Sequence, residues 1–204
     1  MQRSGIIADP LHRSRANVHP LLIPKDYFGN SLEIETGSKN VDYTINLLPH
    51  SPKNANAVDQ LLRRQSEDWR TVNQIDYAQV SDKPCAVSIV AKATGGLWEA
   101  GIWTTAHFER PRMLCHRRHD GSTASDPALT MISHPVIIIN SSRTWELYIA
   151  VDKGKEIVIP QVMLLGDTGT WASMYKLLKS LRAIARWSDG TMREWFSKLV
   201  MDAA

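Results

Sequence analysis

Residues 97–108 constrain this chain more than any other stretch. Leu97, Trp98, Ala100, Ile102, Trp103, Ala106 and Phe108 fall almost all around a helical circumference. A helix apolar on all sides has no face for water and has to be enclosed. The material to enclose it lies on either side. Residues 86–92 follow Pro84 as a strongly apolar strand, and residues 136–140 and 145–151 read as two more. Strand, enclosed helix and further strands in that order predict a mixed α/β sheet with helices on its faces.

The other segments fit this frame. Residues 31–36 and 41–48 alternate and read as a hairpin, and residues 57–69 as a helix. The enclosed helix should run over 97–110 and stop at Pro111, giving way to a basic loop over 110–120. Residues 152–154 turn the chain into a strand over 157–165. A long helix then spans 170–187, and a short last one holds Trp195, Phe196, Leu199 and Val200. In the long helix Trp171, Met174, Tyr175, Leu178, Leu181 and Ala185 form one stripe, read as core. No repeat or boundary divides the chain, so one domain over 1–204 is expected, with residues 1–16 loosely ordered.

Composition excludes several classes. Apolar residues make up 43% and charged residues 22%, enough for one sizeable core. The net charge of +3 permits polyanion binding without by itself securing it. No apolar run reaches the roughly 20 residues of a membrane span, and the N-terminus lacks the apolar core of a secretory signal. The two cysteines, Cys85 and Cys115, read as free thiols, so an intracellular, non-secreted protein is expected.

Chemistry-bearing residues are few. On the strand over 86–92, Ser88, Val90 and Lys92 share a face, with Lys92 at its end before a glycine pair. Alone, Lys92 reads as a lysine emerging into solvent. Glu99 lies on the enclosed helix in a stripe with Trp103, Ala106 and Arg110. A carboxylate there needs a partner, which leaves an ion pair and a functional site equally open. Asp42 opens a strand and reads as a turn cap unless others join it. Trp98, Trp103 and His107 are the candidate substrate contacts beside Glu99. Cys115, His116 and His119 resemble a fragment of a zinc site and lack a fourth ligand, so solvated basic residues are the preferred reading.

Several segments taken together resemble the fungal PD-(D/E)XK nuclease-like domain. They are Val18-His19-Pro20-Leu21-Leu22, Ser38-Lys39-Asn40-Val41-Asp42-Tyr43 and Val72-Asn73-Gln74-Ile75-Asp76-Tyr77, followed by Ser88-Ile89-Val90-Ala91-Lys92 and Trp98-Glu99-Ala100-Gly101-Ile102-Trp103. Ile184-Ala185-Arg186-Trp187 and Trp195-Phe196 complete the set. The resemblance implies a restriction-endonuclease-like core, a central mixed β-sheet flanked by helices. It also implies a metal site in which an Asp and a Glu hold Mg²⁺ or Mn²⁺ and a Lys orients the attacking water. Asp42 matches that Asp and Lys92 that Lys. Val90 stands where the pattern has Glu, and Glu99 where it has Gln, so the motif is degenerate and Glu99 is placed to restore the missing charge.

Three functions follow. The preferred expectation is a converted scaffold that performs acid–base chemistry on a small organic molecule in fungal specialised metabolism, with no cofactor. Its catalytic residues would be Asp42, Lys92 and Glu99, and it would need an enclosed apolar pocket containing Glu99 and Trp103. The alternatives are a divalent-metal-dependent DNA phosphodiesterase with Asp42 and Glu99 as metal ligands, and a non-catalytic binding module. A small-molecule substrate is the expected partner, nucleic acid is a possible one, and no membrane is involved.

Overall fold

A computed structural model describes residues 16–17, 40–49, 51–75, 77–116 and 131–203. The expected strand over 31–36, residues 1–15 and Asp76 lie outside the described residues, as do the side chains of Cys115, His116 and His119.

Eight strands and four α-helices make up the described fold. A short pair, β1 (Ala16–Asn17) and β2 (Asn40–Val41), is antiparallel. The main sheet contains β3 (Tyr43–Asn46), β4 (Cys85–Ala91), β5 (His134–Ile139), β6 (Thr144–Asp152), β7 (Ile157–Val158) and β8 (Gln161–Asp167). Its order is β3-β4-β5-β6, with β7 and β8 both pairing β6. Only β4 and β5 run parallel, and between them the chain passes through helix α2 (Gly96–His116). The expected mixed α/β sheet is therefore present, mostly antiparallel and flanked by helices. Among the described residues no helix is long and apolar enough to cross a membrane.

Helix α1 (Pro52–Arg63) begins where Ser51 Oγ accepts the Asn54 N–H and a proline occupies the first turn. It packs on α4 (Arg193–Ala203) through Val58, Leu61, Leu199 and Val200. The two sheet faces are covered differently. Val90, Val136 and Ile138 meet α2 through Ala100, Trp103 and Ala106. Val87, Ile137, Leu147 and Leu165 meet α3 (Trp171–Trp187) through Leu177, joined by Met192. Each such large side chain taken out of water stabilises the fold by roughly 1.5–3 kcal/mol before entropy is counted.

Four expectations are corrected. Helix α2 continues through Pro111 to His116, so Arg110 is not in a loop. Pro111 and Leu114 are buried, and Arg110 is clamped by its Nε and Nη2 donating to the carbonyls of Thr71 and Trp69. Those contacts offset the one hydrogen bond a proline removes. Second, α2 is not enclosed all round, since Leu97 and Trp98 at its start are exposed. Third, the expected strand over 157–165 is two strands, β7 and β8, with Pro160 in the gap between them. Fourth, the stripe on α3 divides: Trp171 is 78% exposed and Tyr175 71%, with Met174 and Leu178 also exposed, whereas Leu181 packs on the sheet as expected. Helix α3 has two apolar faces, and the one on the sheet is Leu177, Leu181 and Ile184.

Candidate active site

The C-terminal end of β4 organises the candidate site. Asp42 sits between β2 and β3; its N–H donates to the Ile89 carbonyl at 3.1 Å, and its Oδ2 accepts the Ala91 N–H at 2.7 Å. A carboxylate held by a strand N–H keeps a fixed position at the sheet edge. Lys92, the next residue, donates its own N–H to the Ile139 carbonyl. Its ammonium is paired with Glu99 Oε1 across the first turn of α2. Asp42 and Glu99 are thus bonded to consecutive residues, Ala91 and Lys92.

Glu99 is more enclosed than a surface ion pair. Its side chain is 15% exposed, and Oε2 is buried with no hydrogen-bond partner among the described residues. One helical turn on, Trp103 is 1% exposed and its Nε1 is likewise buried without a partner. An orphan acceptor and an orphan donor on adjacent turns are unusual, since buried polar atoms are nearly always satisfied. Val90 lies beneath them, fully buried against Ile138 and the start of α2. An isopropyl group there supplies no ligand, whereas Glu99 delivers a carboxylate from above.

The three candidate substrate contacts do not share one cavity. Trp98 is 63% exposed and lines a groove of about 450 Å³ with Ile102, Thr105, Asp152 and Lys155. An ion pair between Arg112 and Asp152 bridges α2 and β6 beside it. His107 is buried elsewhere, stacked on His134 with ring centroids 3.8 Å apart. A larger apolar cavity, about 540 Å³, lies under α3 on the opposite sheet face. Neither Glu99 nor Trp103 lines either of these two cavities.

Sequence reasoning missed the polar cluster around His107. His134 Nε2 and Ser88 Oγ are 2.8 Å apart, Cys85 Sγ lies 3.8 Å from Ser88 Oγ, and Gln74 Oε1 is 3.4 Å from His107 Nδ1. Burial pulls the His107 pKa down to about 4. His134 also falls well below its ordinary value, through burial and then through the neighbouring His107. Burial pushes the Cys85 thiol up to about 11, so it is no nucleophile at neutral pH. Glu146 was missed as well. It lies in line with Ile138 and Val90 across the sheet, and accepts from Asn140 Nδ2 at 3.3 Å and Tyr148 Oη at 3.0 Å. The only sequence signal was a charge at a strand position whose neighbours alternate.

A family profile of the PD-(D/E)XK nuclease superfamily matches residues 6–193. The chain belongs to the PD-(D/E)XK nuclease superfamily. No curated protein and no solved structure matches it. Members of this superfamily usually use divalent metals, and among the described residues no three His, Cys, Asp or Glu side chains cluster as a cation cage. Two carboxylates suffice for Mg²⁺, which keeps several waters and takes further ligands from substrate phosphates. Asp42 and Glu99 carry hard oxygen donors of the type Mg²⁺ takes.

Proposed function

We propose that this PD-(D/E)XK domain is a divalent-metal-dependent DNA phosphodiesterase whose second carboxylate has moved from strand β4 to helix α2. The observation carrying this reading is Glu99, ion-paired with Lys92 through one oxygen and, among the described residues, unpartnered at the other. Asp42 and Glu99 would hold Mg²⁺ or Mn²⁺. The cation, when bound, supplies Lewis-acid stabilisation of charge developing on the phosphate. Lys92 holds Glu99 at the β4 end through their ion pair, and its ammonium orients the attacking water. The degenerate motif is then a relocation of charge, not a loss of it.

The converted-scaffold reading needs an enclosed pocket around Glu99 and Trp103. Neither the groove beside Trp98 nor the cavity under α3 is lined by Glu99 or Trp103.

Supercoiled plasmid incubated with Mg²⁺ or Mn²⁺ tests the proposal. Wild-type protein should nick it, and Asp42→Ala, Glu99→Gln and Lys92→Ala should each lower the rate about 100-fold or more. Wild-type protein that leaves plasmid intact with every divalent metal tried, or a fully active Glu99→Gln, would refute it.

A further inference from the structure

The cavity under α3 belongs to no part of the candidate active site. It lies on the α3 face of the sheet, whereas Val90 packs on the α2 face. Its volume of about 540 Å³ is within the usual range for small-ligand sites. Leu147, Ile149 and Met163 form the sheet wall, and Ile184 and Trp187 the helix wall. Among the described residues the lining contains one charged side chain, Lys179, next in sequence to Ser180, and no carboxylate. Helix α3 reinforces that sign, carrying Lys176, Lys179, Arg182 and Arg186 and no acidic residue.

An apolar chamber with a single cationic group at its wall selects both ends of a ligand. Water in it is poorly held, so alkyl or aryl carbon is favoured there, and the positive potential of α3 favours a negative head. A dication would be repelled, and a neutral polar solute would find two serine hydroxyls and little else. We propose that this cavity binds a medium-chain carboxylate, with the hydrocarbon between α3 and the β6–β8 wall and the carboxylate on Lys179. Met163 is 44% exposed, so an occupant would cover apolar surface that now meets water.

Calorimetric titration of the whole chain with octanoate, decanoate and dodecanoate, below their micelle concentrations, tests this. One saturable site is expected, tightening about tenfold for each two-carbon extension as methylenes leave water. Lys179→Gln should weaken dodecanoate about tenfold and leave the neutral dodecanol within about twofold. Ala183→Trp should fill the cavity and abolish both; should that variant misfold, Met163→Trp closes the chamber from the sheet side. Plasmid nicking should be unaffected by Lys179→Gln, which separates this proposal from the active-site reading. Absence of saturable binding, or binding indifferent to both the charge change and the cavity-filling variants, would overturn it.

Discussion

Acidification from pH 7 to pH 5 should destabilise this protein measurably, and the buried histidine pair sets the size. The unfolded His107 ring takes a proton near its ordinary value of 6.5, whereas the folded ring does so only near 4. Between those values the unfolded chain binds more protons, so stability is full above about 6.5 and falls as pH drops toward 4. The whole difference corresponds to roughly 3 kcal/mol, of which about 2 kcal/mol is lost between pH 7 and pH 5. His134 is shifted the same way and adds to the loss. For a chain of this size, 2 kcal/mol lowers Tm by about 4–8 °C. Few carboxylates protonate before pH 5, so the window isolates the histidines. Urea midpoints at pH 7, 6 and 5 should be compared between wild type and His107→Asn. The variant should be less stable at pH 7 and lose about 2 kcal/mol less on acidification. An identical loss in both proteins, or a His107 resonance titrating near 6.5 in the native state, would refute the reasoning.

Three further outcomes follow from packing. Gly166→Ala should cost about 2 kcal/mol or more in chemical denaturation, because φ there is +146° and the added methyl would stand 2.6 Å from the Ser173 carbonyl oxygen. Trp171→Ser and Tyr175→Ser should each change stability by less than about 1 kcal/mol, while Leu177→Ala on the opposite face should cost about 2–4 kcal/mol. Val90→Glu placed in Glu99→Gln should recover metal-dependent nicking at a stability cost of about 2 kcal/mol or more, read from the rate and Tm together, since position 90 is fully buried beside Ile138.

The parts of this molecule legible in the sequence are those written in consecutive residues. Strand β4, the Lys92 that follows it and the carboxylate at Glu99 could be placed because a short apolar run after Pro84 stops at a glycine pair and gives way to a longer apolar one. Their meeting could be anticipated from the short connection between them. The His107 cluster could not, because Ser88 and His134 are 46 residues apart and Gln74 and His107 are 33 apart. Nothing local distinguishes a histidine stacked in a core from one on a surface. Helix α3 misled for a different reason. Both Trp171–Tyr175–Leu178 and Leu177–Leu181–Ile184 satisfy helical spacing, and only the sheet decides which is covered. Aromatic bulk favoured the wrong one. Pro111 misled because a buried arginine clamp on the preceding residue outweighs one missing hydrogen bond.

Gly96, the first residue of α2, rests almost on the sheet. A methyl group added to it would come within 3.2 Å of Ile138 Cγ2 and 3.4 Å of Val90 Cγ1. The foot of the helix is therefore seated on Val90 and Ile138, and Glu99 stands less than one turn above that seat. Any bulk inserted beneath would jack the helix upward and pull an acid away from a base. The proposed nicking activity should accordingly track the thickness of a hydrophobic shim beneath the helix.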